Sequence, residues 1–398
     1  MPDPKALVIS LAPFAFATRS RKAAVQLARD ADTTFLALSK VGRNKNWDKA
    51  GIWTTDNIRI VQVSVATPRT APTKINQIRN ILLVYLPGLV RLVRQAVRTP
   101  ATLVFVNGTS LLAVGLVHRL VHRSSLVLDI NERPGMVAAR GSVASLYARL
   151  ESRLLRMTSR FVTAACVVTR ADVDIARDLG FRTVHLVRNV PLAAWPAPWV
   201  EPPFSRGEGQ ELKALMMGSI FEGRGYETLI RAVALANRNL PVSLVLCGPS
   251  RDEYRESLKL LARSEGVQDQ VSFIDRVDPA EVSAGYLRAD VGLVLYESDD
   301  PGNDGLSNKL FECICSGRPV IASDLPENRH FVASNEVGWL TRTEPHAIAQ
   351  TLEIVARSGL LPTVAERCRD FSRSNLNWER EFFPVARLVD PQEHSGES

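Results

Sequence analysis

Asp304-Gly-Leu-Ser-Asn-Lys-Leu-Phe-Glu312 sets two carboxylates eight positions apart across the start of an expected helix. A strand-like run, residues 291–296, precedes it by a short loop. Gly317-Arg-Pro319 ends the helix and Val320-Ile-Ala322 opens another strand. Such a stretch aims backbone N–H groups and a carboxylate at the carboxyl end of a parallel sheet. That suits a phosphate-bearing ligand with a sugar hydroxyl nearby. Ser307 is expected to cap the helix by accepting from an N–H two or three residues on, which leaves the Gly305 and Leu306 N–H groups for a ligand. Lys309 and Glu312 share a helical face. Glu312, in mid-helix, suits two ribose hydroxyls; the alternative is an ion pair with Lys309 worth about 0.2–0.5 kcal/mol.

A second candidate is Gly218-Ser-Ile-Phe-Glu-Gly-Arg-Gly225, which follows one strand and opens one helix. Its glycines permit close backbone approach to a phosphate, and the helix N-terminus favours negative charge. Arg224 is placed to clamp a diphosphate with paired N–H donors. The loop has neither P-loop nor GxGxxG spacing, and a plain β–α turn is the alternative. The acidic loop 297–303 lacks calcium-loop spacing, so no metal is expected. His118 and His122 stand four apart in a helical run without a third ligand, which reads as structural.

These loops need a parallel sheet to hold them, and the chain alternates strand-like and helix-like runs throughout. In the first half, strands are expected at 6–11, 34–38, 58–65, 102–106, 125–129, 161–168 and 183–187. Helices are expected at 19–29, 75–98 with a break at Pro87-Gly88, 143–159 and 171–179. A stretch with five prolines, Pro191 to Pro203, breaks the pattern. Alternation then resumes from residue 213 to the last helix, which starts at Trp378. The implied layout is a first domain over 1–198, a Pro-rich linker over 199–212, a second domain over 213–376 and a terminal helix and polar tail over 377–398.

The chain has 398 residues, 45% of them hydrophobic and 23% charged, which is ordinary for a globular protein with sizeable cores. Its net charge of +7 conceals an asymmetry. Residues 1–200 carry 28 Lys and Arg against 11 Asp and Glu; the remainder carries 21 against 31. The basic half fits an anionic membrane surface, the alternative being solubility plus attraction between the halves. Within it, 81–98 places Leu and Val among Arg91, Arg94 and Arg98; a leaflet-bound segment and a packed crossover helix are both open. No basic-aromatic interleaving marks a nucleic-acid binder. The five cysteines form no metal pattern and fit a reducing compartment. No convincing secretory signal and no apolar span are visible, so a cytoplasmic protein, peripheral on the inner membrane face at most, is expected.

Residues 213–390 resemble the donor-binding half of retaining GT-B glycosyltransferases, family GT4 in particular. The resemblance rests on Gly218…Arg224-Gly225 for G-x5-(K/R)-G, on Asp304…Glu312 for E-x7-E, on Gly317-Arg-Pro-Val-Ile-Ala322, on Gly338-Trp-Leu340 and on Trp378-Glu379. In the first half, Asp129-Ile-Asn-Glu132 resembles the D-x-H-E of that family, and Asn189 resembles its last N-domain Asn. The resemblance implies a GT-B fold, two doubly wound Rossmann-like domains facing across a cleft, with the last helix crossing back to the first domain. It also implies a retaining transfer of a hexose-type sugar from a nucleotide diphosphate sugar, with no cofactor. Glu312 would bind ribose, Arg224 the diphosphate, Gly305 and Leu306 the phosphates or sugar, and Asp304 a donor hydroxyl; Gly218 opens the loop. Lys309 is added from helix geometry.

Three departures stand out. Ser219 replaces a common Arg, Asp304 shortens a Glu, and Asn131 replaces a His, keeping a hydrogen bond but no proton transfer. Pro13-Phe-Ala-Phe16 stands where the family has a Gly-rich acceptor loop. The acceptor side is expected near Arg19, Arg21, Lys22, Asp129 and Glu132, for a saccharide or lipid-linked saccharide. A GT-B binding or scaffold protein without transfer activity and a nucleotide-sugar epimerase are the alternatives.

Overall fold

The computed structural model describes residues 4–15, 17–40, 50–65, 85–131, 142–193, 209–278, 281–296 and 306–389. The chain forms two compact units, one of Met1–Arg188 with Glu379–Ser398 and one of Asn189–Trp378.

The first unit is built on β1 (Lys5–Ser10), β2 (Asp32–Lys40), β3 (Gly51–Thr55), β4 (Ile58–Val65), β5 (Leu103–Asn107), β6 (Ser125–Ile130), β7 (Ala164–Val167) and β8 (Val184–Leu186). Their order is β3-β4-β2-β1-β5-β6-β7-β8. Every pairing is parallel except that of β3 with β4. The strand β3 was not anticipated. It folds back through a two-residue turn at Asp56-Asn57, both with positive φ of 48° and 60°, which Asn and Asp tolerate better than other side chains. Ile52 and Trp53 point outward on this edge.

Helices α1 (Thr18–Leu27), α2 (Leu86–Val97), α3 (Leu112–His122), α4 (Ser142–Thr158) and α5 (Arg170–Asp178) connect the strands. Pro87 lies in the first turn of α2, where its missing N–H is tolerated. Of the expected span, 75–84 lies outside the described residues. Leu92 and Ala96 bury one face of α2, Gly88 meets Leu38 and Val65, and Arg91 donates to the Ser64 carbonyl at 2.5 Å. The described part of this segment is thus a crossover helix packed on the sheet along its Leu92–Ala96 face, with Leu86 and Val90 exposed on the other. Gly115 brings α3 against Val106 and Leu126. His118 is buried between Ser124 (2.9 Å) and the Thr99 carbonyl (3.0 Å), and His122 reaches the Val97 carbonyl.

The second unit has β9 (Leu212–Met217), β10 (Val242–Cys247), β11 (Val271–Ile274), β12 (Val291–Val294), β13 (Val320–Ser323) and β14 (Gly338–Thr341), all parallel in the order β11-β10-β9-β12-β13-β14. Its helices are α6 (Tyr226–Ala236), α7 (Asp252–Ser264), α8 (Val282–Leu287), α9 (Asn308–Cys315), α10 (Pro345–Arg357) and α11 (Leu361–Asn375). Apolar residues of β9, β10, α6, α7 and α10 form its main core. Each fully buried Leu, Val or Phe contributes about 1.5–3 kcal/mol. The last helix, α12 (Trp378–Ala386), belongs from Glu379 on to the first unit. There Phe382 packs edge-on to Phe105 at 5.5 Å, and Glu381 pairs with Arg188.

In both sheets the chain's first strand lies inside, and the next parallel strands run outward on one side before the chain returns to its other side. The order therefore reverses between β1 and β5 in the first unit and between β9 and β12 in the second. Ligands of open α/β sheets bind outside the carboxyl ends of the strands at such reversals.

Candidate active site

The two loops singled out by sequence leave the two strands that flank the second reversal. The first runs from β9 to α6. Gly218 N donates to the Cys247 carbonyl (2.8 Å) and Ile220 N to the Pro249 carbonyl (2.8 Å), so the β9–β10 ladder continues past the strand ends. Gly248 makes this approach feasible, because a Cβ there would run into the Gly218 carbonyl. The Tyr226 hydroxyl, at the start of α6, donates to the Ser219 carbonyl at 3.0 Å. Burial pushes its pKa up to about 12, against the pull of Arg224. Gly225 has φ +76° at the N-cap, a left-handed conformation suited to glycine.

The second loop runs from β12 to α9. The helix is drawn onto the sheet by Leu310, Phe311 and Ile314, all buried. Gly292 of β12 leaves room for the Cys313 sulfur, so α9 sits close above the strand. Burial pushes the Cys313 thiol pKa up, which suits packing and not nucleophilic chemistry. All five cysteines are buried thiols. Ser307 occupies the N-cap position with extended backbone, but its side chain makes no capping bond. The expected cap is thus corrected: its Oγ is buried without a hydrogen-bond partner among the described residues.

These loops meet at Tyr296, just past the end of β12. The Arg224 guanidinium lies 4.7 Å from the Phe221 ring centroid and 5.3 Å from that of Tyr296. The Lys309 ammonium lies 5.6 Å from the Tyr296 centroid. Lys309 also folds over Gly218; a side chain there would collide with its Cε and Nζ. The position of Gly218 is therefore set by the lysine as well as by its φ of +137°. Tyr296 is buried, and its backbone is held by Ser323, whose Oγ accepts from Tyr296 N (2.7 Å) and donates to Tyr296 O (3.0 Å). Sequence reasoning missed it. Its signal was an aromatic residue ending a core strand immediately before the acidic loop.

Gly218, Arg224 and Lys309 are thus brought together, with Leu306 and half-buried Glu312 on the stretch that includes the start of α9. Asp304 and Gly305 lie outside the described residues. Asn189 donates to Asn308 at 2.6 Å. Two cations at one crevice offer charge to an anion, and N–H groups at two helix starts add to it.

The first unit treats its own reversal differently. Arg19, from the first turn of α1, holds Asp129 through Nε and Nη2 at 2.7–3.0 Å, and Asn107 donates to the same carboxylate at 2.7 Å. Arg19 and Asp129 are both buried. Burial opposes the charge on Arg19, but the Asp129 carboxylate outweighs it and raises the guanidinium pKa. Arg19 and Asp129, both expected on the acceptor side, thus form a tie across the strand ends. Lys22 is buried, Arg21 and Asn131 are half-buried, and Glu132 lies outside the described residues. The loop after β1 is held by Phe14, packed edge-on to Phe35 at 4.9 Å with its N–H on Gln62.

A separate cavity of about 270 Å³ in the second unit, lined by Leu215, Met217, Val245, Cys247, Ile274 and Arg288 among others, contains none of these site residues. Among the described residues no group of three metal-ligating side chains occurs, and no helix is long and apolar enough to cross a membrane.

Architecture and site together define the class, an α/β protein of two parallel-sheet domains with a crevice in the second that gathers Arg224 and Lys309. Residues 201–375 match the family model described as Glycosyl transferases group 1, a stretch that covers most of the second unit. The fold is GT-B, shared with sucrose-phosphate synthase of Thermosynechococcus elongatus (TM-score 0.70, 16% identity, 97% of this chain and 98% of that one). It is shared also with Anabaena HepE solved with UDP and glucose (TM-score 0.67, 13% identity, 97% and 99%). A glycosyltransferase of Methanocaldococcus jannaschii, itself uncharacterized, is 23% identical over 182 residues, 45% of each chain. The chain matches less than half the length of its curated relatives.

Proposed function

We propose that the protein is a GT4-like retaining hexosyltransferase. It moves a hexose-type sugar from a nucleotide diphosphate sugar to a saccharide or lipid-linked saccharide, in the synthesis of a cell-surface polysaccharide or glycolipid. The observation that carries this reading is the convergence of Arg224 and Lys309 on Tyr296 at the strand-order reversal of the group 1 domain. The complex of Anabaena HepE with UDP and glucose supports a nucleotide-sugar donor.

As the bond from the sugar's anomeric carbon to the diphosphate oxygen breaks, negative charge grows on the diphosphate. Arg224 and Lys309 receive it with the helix N-termini, in place of a metal. Tyr296 keeps the two cations apart and fixed, so little reorganisation accompanies the step. Glu312 takes the ribose hydroxyls, Leu306 and Gly305 give N–H groups, and Asp304 meets a donor hydroxyl. The acceptor oxygen bonds to the anomeric carbon from the leaving-group face, and its proton passes to the departing phosphate. Asn131 orients a hydroxyl without taking a proton. The acceptor belongs to the first unit, near Arg21 and residues 129–132, with a cytoplasmic, membrane-peripheral location.

The test is a binding and turnover screen against UDP-, GDP- and ADP-sugars. One donor is expected to bind and to hydrolyse slowly, with affinity reduced in Arg224→Ala and Glu312→Ala. Absence of binding by all three, with the Glu312→Ala protein indistinguishable from wild type, would remove the transferase reading.

A further inference from the structure

The end of α4 carries an exposed face of unusual regularity. Leu150, Leu154, Met157 and Phe161 recur at spacings of four, three and four, and are exposed to 51%, 60%, 69% and 45%. Arg149, Arg153, Arg156 and Arg160 recur at the same spacings, one position earlier, and are exposed as well. At about 100° per residue the arginines form one stripe and the apolar residues another beside it. The opposite side is the packed one. Leu155 enters the core, Ser159 is buried, and the Thr109 hydroxyl bonds to Glu151. Arg160 lies over the Phe161 ring at 4.7 Å, joining the two stripes at the helix end.

Four large apolar side chains in one contiguous stripe exceed the scattered exposure normal for a protein surface. The flanking charge selects the occupant. A second copy of the chain would bring arginine stripes together, and Glu151, the acid of residues 149–161, accepts from the Thr109 hydroxyl. An apolar stripe bordered by cations instead fits acyl chains beneath acidic headgroups. We infer that α4 and the turn after it, residues 149–161, form a membrane-docking surface for an anionic leaflet. This deepens the proposed function, since it would hold the first unit at the surface where a lipid-linked acceptor resides, and it rests on that reading for its purpose only. Each arginine near an anionic surface adds roughly fivefold to partitioning, so four set the strength and the apolar stripe sets the depth.

The experiment is flotation with neutral phosphatidylcholine vesicles and with vesicles containing 30% phosphatidylserine, about 0.1 M salt being present. The wild type is expected to float with the anionic vesicles only and to be released by high salt. Replacing the four arginines with Gln should lower partitioning by more than about 100-fold; replacing them with Lys should retain most of it. The triple change Leu150→Ser, Leu154→Ser, Met157→Ser should also abolish flotation, with an unchanged melting temperature confirming the fold. Failure of the wild type to float, or flotation unaffected by both changes, overturns the inference. So does a dimer that becomes monomeric in the Ser variant while flotation persists. Donor binding measured on the same samples separates the two proposals. Retained donor binding without flotation leaves the transferase reading standing, whereas flotation without donor binding by wild type removes that reading alone.

Discussion

The two sheets reverse their strand order in the same way, yet their crevices differ in how charge is used. In the first unit, Arg19 is committed to Asp129 and the pair is buried beside Asn107. In the second, Arg224 and Lys309 rest on aromatic rings and have no ion-pair partner among the described residues. A cation paired internally stiffens its surroundings; a cation held by a ring face keeps its charge for a ligand. One topology thus gives an internal ion pair in one place and two ring-supported cations in the other, depending on whether an acid faces the base.

The sharpest break in this comparison is Asp129→Ala. It strands a buried guanidinium and should cost about 3–5 kcal/mol, read as a lower denaturation midpoint, with nucleotide affinity of the folded protein unchanged. Arg224→Ala should do the reverse. Turnover should fall by about 10²–10³ in steady-state assays, while chemical denaturation barely moves. If both variants lose stability equally, the two crevices are alike and the distinction fails.

Tyr296 sharpens the contrast at a smaller scale. Tyr296→Leu removes the ring under both cations and should weaken donor binding by about 0.5–2 kcal/mol, whereas Tyr296→Phe should preserve it; calorimetry on the two variants decides. Gly218→Ala should expel Lys309 from its seat. Its cost to binding should then be non-additive with that of Lys309→Ala, with a coupling of roughly 0.5–3 kcal/mol in a double-mutant cycle.

The smallest effect belongs to the first unit and to pH. Burial lowers the His118 pKa, with the neighbouring His122 adding to the shift and the Thr99 carbonyl opposing it. The folded state therefore binds this proton less well than the unfolded chain. The contribution is present above the unfolded value of about 6.5 and is lost as pH falls through the folded value. Melting temperature should decline below about pH 6.5, at no more than about 1.4 kcal/mol per pH unit from this group. His118→Gln should flatten that decline while donor binding keeps its own pH profile.

Much of the site was legible in the chain. A Gly-rich turn after an apolar run, an Arg at its end and a Lys one helical turn before a Glu are local patterns, and local patterns follow from backbone sterics and helix periodicity. The strand β3 escaped because Gly51–Thr55 is exposed on an antiparallel edge and lacks a core-facing alternation. Ser307 had the right type and position for a cap, but its side chain turns inward. That Arg19 and Asp129 touch is concealed by their separation of 110 positions in the chain.

By itself, then, the sequence determined the alternating elements, the two loops and the cations Arg224 and Lys309 beside them, since each depends on neighbours a few residues away. Which charges cancel and which stay available was decided only by the tertiary structure. Strand order sets which loops meet, and the strength of a charge depends on what lies within a few ångströms of it in space. Tyr296 is the clearest case: an ordinary aromatic at a strand end in the chain, it becomes the common support of two cations when β9 and β12 lie side by side.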